Sequence, residues 1–365
     1  MKFICWKEDL EKVLIKAERI TGKNTTLPVL RGIFFDVGEK IIVKSTNLDI
    51  GLEMEVFGKK EKEGKILVDG NVLFNVISNI KKNIKLEIKK EDKKMAISGE
   101  KIKANIATLP EEDFPSIPKI KKEDEFFLSP QKITKGLKSV WFSASNSNIK
   151  PELSGIYIYK SGEKIIFVST DSFRLSEKSI PIENLKEFEA FLLPTKNIPE
   201  IIRVLEGEEK DVGVVLGESQ ISFFSDNLYL TSRIISADFP DYKQIIPKEI
   251  KTTAVVLKED FFSSLKLANI FADKFNQIIF KIDTDKKFFR VESKNPEKGE
   301  HTSDIEASLE GESLEIGFNY RYIMDVFASI PSDSLSLSFS GPGRPLLIKG
   351  VSDGSFLYIV MPMNK

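Results

Sequence analysis

The sequence predicts an α+β fold of three similar domains, each with two helices packed on antiparallel sheets. Three observations indicate it: a strand-helix pair opens three stretches of the chain, a second strand-helix pair follows in each, and alternating strands fill the remainder. The 365 residues, 41% of them hydrophobic, suffice for two or three domains with apolar cores.

The first helix of each stretch presents one apolar face with the spacing of an amphipathic helix. These faces are Leu10, Val13, Leu14 and Ala17; Ile133, Leu137 and Val140; and Phe261, Leu265, Ala268 and Phe271. An alternating strand follows each helix, and Gly32, Gly155 and Gln277 occupy matching positions, 123 and 122 residues apart. This constant offset favours a true repeat over three domains that are similar by chance.

The second strand-helix pairs are KILVDGNVLFNVISNIKK, AFLLPTKNIPEIIRVLEG and LEIGFNYRYIMDVFASIP, and strands of period two follow each, as in antiparallel sheets. We expect the six helices over residues 7–20, 71–82, 130–146, 196–205, 258–271 and 319–330. Two Pro- and charge-rich stretches, PSIPKIKKED and PDYKQIIPKEIK, predict domains at 1–120, 121–248 and 249–365.

Composition argues against several classes of protein. No apolar run is long enough to cross a bilayer, and the N-terminus lacks the features of a signal peptide, so a cytoplasmic protein is expected. The single Cys5 permits no intramolecular disulfide, and one cysteine with one histidine makes a zinc site implausible. His301 lies in NPEKGEHTSD, which predicts a surface loop rather than a catalytic position. We expect no catalytic residue, metal or cofactor.

The charges balance overall, with 54 Lys and Arg against 55 Asp and Glu. The six helix windows nevertheless carry 14 basic and 8 acidic residues, so the helices are net positive and the remainder is net negative. Such a face can meet a phosphate backbone without holding it tightly, although solvated lysines on ordinary helix faces give the same count. No helix-turn-helix or aromatic RNA-binding signature is present, so base readout is not expected.

Five stretches carry a family resemblance: STDSFRL (169–175), ADFPDYKQIIP (237–247), YIVMPM (358–363), LPVLRGI (27–33) and TLPEEDFP (108–115). Together and in order they resemble the bacterial sliding clamps, the β subunits of DNA polymerase III. The resemblance implies the DNA clamp fold and a head-to-tail dimer ring around duplex DNA. It also implies that helices line the hole and that the ring keeps the polymerase on its template.

The resemblance further implies a groove for partner peptides, here called the tail pocket. Carried over by matching motif, it comprises Leu153, Thr170, Phe173, Arg174, Leu175, Pro240, Ile245, Asn319, Tyr322, Ile359, Val360, Met361, Pro362 and Met363. Arg174 and Asn319 are expected to fix the peptide, while the two methionines adapt to several sequences. The implied partners are the replicative polymerase catalytic subunit, the clamp loader, repair and translesion polymerases, and mismatch-repair and ligase proteins. A core strand with no binding role is the alternative for this apolar tail.

Two further sets come from the same resemblance. The expected DNA-facing residues, all predicted to be exposed on the helices, are Lys12, Lys16, Arg19, Lys81, Lys135, Lys138, Lys196 and Arg203. The expected dimer contact joins Ala104 and Ile106 of one chain to Ile270 and Phe271 of the other.

This sequence departs from the family pattern at several of these places. Ala104 stands where relatives carry an aromatic, and Phe173 and Gln244 stand where histidine and arginine are common. Asn24 and Asn71 occupy positions where relatives often place cations toward DNA. KPEL (150–153) lacks the aromatic pair that some relatives project at DNA.

Three alternatives remain open. The first is an enzyme. Its Gly-rich candidate, GPGRP (341–345), lacks the Lys-Ser/Thr that completes a phosphate-binding loop and instead predicts a turn between strands. A scaffold of three repeats without a ring would share the fold and the pocket. A specialised clamp paralogue would have narrower partners.

Overall fold

The computed structural model describes residues 1–22, 27–121, 125–147 and 149–363. The first third of the chain contains β1 (Lys2–Trp6), α1 (Lys7–Ile20), β2 (Gly32–Val37), β3 (Ile41–Thr46), β4 (Ile50–Glu55), β5 (Gly58–Lys62), β6 (Gly64–Asp69), α2 (Gly70–Ser78), β7 (Lys85–Glu91), β8 (Lys94–Gly99) and β9 (Ile102–Leu109).

The middle third contains β10 (Phe126–Leu128), α3 (Pro130–Val140), β11 (Gly155–Ser161), β12 (Lys164–Thr170), β13 (Arg174–Pro181), β14 (Phe191–Pro194), α4 (Ile198–Leu205), β15 (Val212–Leu216), β16 (Gln220–Phe224) and β17 (Leu228–Arg233). The last third contains β18 (Thr252–Leu257), α5 (Lys258–Ile270), β19 (Gln277–Asp283), β20 (Phe288–Asn295), β21 (Gly299–Ile305), β22 (Ala307–Gly311), β23 (Leu314–Asn319), α6 (Tyr320–Asp325), β24 (Ser334–Phe339), β25 (Leu346–Gly350) and β26 (Asp353–Val360). Two helices in each third, within the described residues, confirm the α+β prediction.

The chain divides into two compact units. The first unit, residues 1–134 and 196–234, contains an antiparallel sheet with strand order β10-β15-β16-β17-β4-β3-β2-β6-β9-β8-β7-β1-β5. Helix α1 packs against α2, α4 and the sheet in this unit. The predicted apolar face of α1 is confirmed, because its four apolar residues are all buried.

The second unit, residues 135–195 and 235–365, contains two antiparallel sheets, β14-β11-β12-β13-β26-β25-β24-β18-β22 and β21-β20-β19-β23. Its main core is rich in aromatic rings: Phe261 lies 5.7 Å from Phe280 and 5.9 Å from Phe289 between ring centroids. Helix α5 supplies Phe261 and packs on β20, β21 and α6. A smaller apolar cluster around Leu175, Tyr242 and Ile359 belongs to the same unit.

Four helix boundaries differ from those expected. Helix α2 ends at Ser78 instead of residue 82, where the Asn79 amide donates to the Asn75 carbonyl. Helices α3 and α6 end early because the chain tightens into 3₁₀ turns at Trp141–Ser143 and Val326–Ser329. Helix α4 starts at Ile198, with Pro199 in its first turn, where the missing N–H costs nothing.

The prediction that His301 lies in a surface loop is wrong. His301 is in the middle of β21 and pairs with Ser293 of β20. The turn is confined to residues between Asn295 and Gly299, where the Asn295 side chain accepts from the Glu297 N–H at 2.9 Å. Polar residues on both faces of β21 concealed the strand from a hydrophobicity pattern.

The strand order reveals how the repeats connect. Three runs of four strands, β6-β2-β3-β4, β14-β11-β12-β13 and β23-β19-β20-β21, are equivalent, and so are β1-β7-β8-β9, β10-β15-β16-β17 and β18-β24-β25-β26. Strand β4 pairs with β17, and β13 pairs with β26. A buried serine marks the same register in all three repeats, at Ser45, Ser169 and Ser293. By the same equivalence, β21 corresponds to β4 and β13, and β9 corresponds to β17 and β26. Strands β21 and β9 do not pair with each other among the described strands.

The β13–β26 junction carries a buried ion pair. The Lys178 ammonium, almost fully buried, donates to the Asp353 carboxylate at 2.9 Å and to the Ser355 hydroxyl at 2.6 Å. Burial disfavours the charged carboxylate, but hydrogen bonds from Ser355 and Lys178 outweigh that effect and lower the pKa of Asp353 to about 2. The pair therefore ties the last strand to its neighbour.

Candidate functional site

The apolar C-terminal tail is fixed on both sides by backbone hydrogen bonds. Strand β26 is an inner strand between β13 and β25, and Tyr358, Ile359 and Val360 are fully buried. Beyond it, the Met361 N–H donates to the Phe173 carbonyl (2.8 Å) and the Met363 N–H donates to the Gly317 carbonyl (2.9 Å). The tail thus leaves the core at Val360, and residues 361–363 are half-exposed.

The turn between β12 and β13 projects Phe173 outward. The Asp171 carboxylate accepts from the N–H groups of Phe173 (2.9 Å) and Arg174 (3.0 Å), and Ser172 adopts a left-handed φ of 78°. The Thr170 hydroxyl donates to the Arg174 carbonyl at 2.7 Å. These bonds leave the Phe173 ring 59% exposed, with its centroid 6.3 Å from that of Tyr322. A local sequence motif therefore builds an aromatic rim beside the tail.

Arg174 is an internal anchor in this structure. Its guanidinium donates to Asp171 (3.0 Å), to the Phe142 carbonyl (2.8 Å) and to Asp325, and its side chain is 11% exposed. Its central carbon lies 4.7 Å from the Tyr322 ring centroid. Burial acts to lower the pKa of Arg174, but Tyr358 and the two carboxylates outweigh it and raise that pKa.

Asn319 is likewise committed to its own helix. Its side-chain oxygen accepts from the Arg321 N–H at 2.9 Å and caps α6, and its amide donates to the Phe275 carbonyl at 3.3 Å. Arg174 and Asn319, which were expected to fix a peptide, thus hold the framework of the predicted pocket.

The 237–247 segment forms a neighbouring wall. Tyr242 is buried, and its hydroxyl bonds to Glu177 and, at 2.8 Å, to the Tyr159 hydroxyl. Burial, followed by these hydrogen bonds, raises the pKa of Tyr242. With Tyr242 as the anchor, Ile245 stays exposed at the end of the same 3₁₀ turn, Tyr242–Ile245.

The structure sorts the tail-pocket residues into two groups within one unit. Those that are buried and build its support are Leu153, Thr170, Leu175, Ile359 and Val360. Those that are at least partly accessible are Phe173, Arg174, Pro240, Ile245, Asn319, Tyr322, Met361, Pro362 and Met363. Sequence reasoning missed Phe142 and Asp325, which hold Arg174; the spacing of Asp325 three residues after Tyr322 on a helix was the available signal.

The predicted DNA-facing residues differ in their environments. The prediction that Lys16 is an exposed side chain is wrong: it is 13% exposed, donates to the Val204 carbonyl at 2.9 Å and lies 3.6 Å from Glu208. Burial lowers the pKa of Lys16. Lys81 lies beyond the end of α2 rather than on it, and Asn24 lies outside the described residues.

Several others already have acidic neighbours. Lys196 pairs with Asp49 at 2.7 Å, Arg203 pairs with Glu200, and Arg19 lies 3.7 Å from Glu18. The side chains of Lys12, Lys135 and Lys138 are exposed. The basic surface is therefore weaker than the helix count suggested.

The predicted dimer residues lie on or beside strands β9 and β21. Ile106 of β9 is buried and Ala104 is half-buried, whereas Ile270 is 55% exposed at the end of α5. The Phe271 ring stacks on His301 of β21, with centroids 6.0 Å apart and planes 8° apart. Residues 102–107 of β9 pair with β8 alone, and β21 pairs with β20 alone, among the described strands.

The described residues offer no candidate for two other types of site. No helix there is long and apolar enough to cross a membrane. No group of three or more His, Cys, Asp or Glu side chains in those residues is arranged to hold a metal ion.

Comparison with known proteins identifies the family of this chain. Three family models match it in order: the N-terminal domain (residues 1–118), central domain (127–241) and C-terminal domain (243–364) of the DNA polymerase III beta subunit. The beta sliding clamps of Vibrio cholerae and Salmonella typhimurium are 26% and 25% identical to it, with 100% of both chains covered in each comparison. The crystal structure of the Thermotoga maritima DNA polymerase III beta subunit superposes with a TM-score of 0.94 at 27% identity, covering 100% of this chain and 99% of the other. The chain belongs to the DNA polymerase III beta subunit family of sliding clamps.

Proposed function

We propose that this chain is a sliding clamp, which encircles duplex DNA as a closed dimeric ring and tethers the replicative polymerase to it. The observation that carries the proposal is the match of all three beta-subunit domains, in order, along the chain. These ranges support domains at 1–120, 121–248 and 249–365. A protein with this role works where the chromosome is copied, which supports a cytoplasmic location.

We propose a non-catalytic processivity factor without a cofactor. Three buried groups with strongly raised pKa values, Arg174, Tyr242 and Tyr358, are engaged in internal hydrogen bonds. A general acid or base needs instead to reach a substrate. Their arrangement supports a structural role.

The strand junctions support the head-to-tail dimer. Both junctions within the chain join the strand equivalent to β4 of one repeat to the strand equivalent to β17 of the next. Strands β21 and β9 are the equivalent strands that remain, and each exposes a backbone edge that invites pairing. We propose that β21 of one chain pairs with β9 of a second copy, and that two such junctions close the ring.

The repeats also predict the register of this junction. Leu52 faces Leu230 in the first junction, and Ser176 faces Tyr358 in the second. Counting from the matched strand pairs, the corresponding residues are His301 and Ala104. The small Ala104 would then face a histidine backed by the Phe271 ring, which supplies bulk on the opposite side.

A cysteine pair tests the register. Ala104→Cys with His301→Cys should form an intermolecular disulfide and yield a covalent dimer on a non-reducing gel. Lys103→Cys with His301→Cys is the matched control, because adjacent strand residues point to opposite faces. Equal cross-linking of both pairs would contradict the register, and a monomeric mass for the native protein by light scattering would contradict the dimer.

We propose that the DNA contacts are weak and sequence-independent. The proposed set is Lys12, Arg19, Lys81, Lys135, Lys138, Lys196 and Arg203, without the internally bonded Lys16. Phosphate contacts of this kind weaken steeply with salt, whereas a closed ring is retained by topology. After loading with a clamp loader onto a circular plasmid, the protein should stay bound at high salt and be lost when the plasmid is linearised. Loss from the circle at the same rate would contradict the ring.

We propose that the tail pocket receives extended partner peptides. Half-exposed Met361 and Met363, the Phe173 ring and exposed Ile245 support a groove that accommodates several apolar anchors. The proposed partners are the replicative polymerase, the clamp loader, repair and translesion polymerases, and mismatch-repair and ligase proteins. Because Phe173 and Gln244 replace the histidine and arginine that are common in relatives, the preference for particular peptide sequences at the rim of the pocket would differ from theirs.

A further inference from the structure

A second concave site lies in the C-terminal part of the chain, between the start of α5 and residues 324–333. Its volume is about 610 Å³, within the range of about 300–1,000 Å³ typical of ligand pockets. Met324 of α6 lines it, whereas Tyr322 of the same helix contacts Arg174. Two helical residues apart correspond to a rotation of about 200°, so this cavity and the tail pocket use different faces of α6.

The cavity has an apolar lining: Leu257, Phe262, Met324, Phe327 and Ala328. The Phe262 and Phe327 rings pack against each other with centroids 5.1 Å apart. Leu257 is 53% exposed, so a bulky apolar residue is left in water at the mouth. A partner side chain that covers it would remove this apolar surface from solvent, and Met324 can adapt to the shape of that side chain.

The rim of the cavity is acidic. Glu259, Asp260 and Asp333 line it, and none of these carboxylates forms an ion pair with another described residue. Lys258 also lines the cavity, but its ammonium donates to the Ile330 carbonyl. Glu259 and Asp260 favour the helix dipole of α5, whereas Asp333 lies outside that helix and has no such role.

The aromatic lining already receives a cation from within the chain. The Lys266 ammonium lies 4.4 Å from the centroid of the Phe262 ring. An ammonium or guanidinium over an aromatic face is attracted to it. Because Lys266 already occupies this ring, the three carboxylates at the rim are the groups that select a positively charged occupant and disfavour the phosphates of DNA.

We propose that this cavity binds a short peptide segment of a partner protein, with one bulky apolar anchor flanked by lysine or arginine. The anchor covers Leu257 and packs on Phe262 and Met324. The flanking cations face the three carboxylates. This site is separate from the tail pocket and does not depend on it.

Two fluorescein-labelled peptides test the proposal on the full-length protein by fluorescence anisotropy: Lys-Lys-Phe-Lys-Lys amide and Glu-Glu-Phe-Glu-Glu amide. The basic peptide should bind at least about tenfold more tightly, and its affinity should fall with salt. Ala328→Trp fills the cavity from an exposed position and should weaken binding by at least about tenfold. Ser263→Trp, an exposed residue of α5 outside the lining, is the matched control and should bind normally.

Other results would overturn the proposal. Equal binding of both peptides, or unchanged binding to Ala328→Trp, would contradict a cationic peptide in this cavity. Loss of binding in the double variant Met361→Ala with Met363→Ala would show that the peptide binds in the tail pocket instead of this cavity. Selective binding of the neutral probe N-phenyl-1-naphthylamine without the peptide would indicate a small apolar ligand. If light scattering gives a mass above that of the proposed dimer, and Ala328→Trp removes the excess mass, the occupant of the cavity is a second copy of this chain.

Discussion

Replacing Arg174 by methionine tests whether this arginine organises the tail pocket. Methionine keeps most of the apolar volume but removes all the donors. The change removes the charged donor from the Asp171 carboxylate, which keeps two backbone N–H donors, and removes the donor of the Phe142 carbonyl and the cation beside the Tyr322 ring. We therefore expect strand β26 and helix α6 to open more readily.

The size of the effect follows from burial. Removing one partner of a buried ion pair costs about 3–5 kcal/mol. Asp171 is 15% exposed and belongs to this case, but Asp325 is 43% exposed, so solvent screens it and its share is about 1 kcal/mol or less. We expect a loss of about 3 kcal/mol in local stability. Arg174→Lys should restore only part of it, because a lysine ammonium cannot reach three divergent acceptors as a planar guanidinium does.

Native-state hydrogen exchange measures this local stability directly, as the opening free energy of amides in peptides covering residues 320–326 and 356–361. Arg344→Met is the matched control, because Arg344 is exposed in a turn of the same unit, and its effect should stay within about 0.5 kcal/mol. An effect of Arg174→Met below about 1 kcal/mol would refute the reasoning. The arginine would then be available for a peptide, as the family resemblance implies.

Three further predictions concern the tail, the buried ion pair and the thiol. Met361→Ala with Met363→Ala should abolish binding of a polymerase-derived peptide in calorimetry while light scattering still shows a dimer; retained affinity would contradict the tail pocket. The lowered pKa of Asp353, about 2, means that its stabilisation is present above its unfolded pKa near 3.9 and is lost as the pH falls towards 2. Acid unfolding followed by circular dichroism should therefore be shallower in Asp353→Asn between pH 4 and 2, and an unchanged slope would count against the ion pair. Burial, with a smaller contribution from Asp9, raises the pKa of Cys5 to about 12, so Ellman's reagent should label it at pH 8 only after unfolding, and rapid labelling of the native protein would show that it is accessible.

Local patterns in the sequence determine much of this fold. The apolar face of α1, the two helices in each third and the antiparallel strands follow from periodicity, since each needs only neighbouring residues. The motif around Asp171 likewise specifies its own turn, because its hydrogen bonds join residues within three positions. Helix ends are less accessible to such patterns, because 3₁₀ turns and a side-chain cap decide them.

Only the tertiary structure decides what the charged and polar residues do. Lys16 has the pattern of an exposed helix cation, but the helix α4 carbonyl that binds it lies 188 positions along the chain. The family resemblance implies that Arg174 binds a peptide, but Asp325 and Phe142 reach it from distant segments. His301 has the surroundings of a loop residue, but backbone pairing with β20 makes its segment a strand. Hydrophobic period is written into consecutive residues, whereas the partner of a charge or of a strand edge is set by which distant segments the fold brings together.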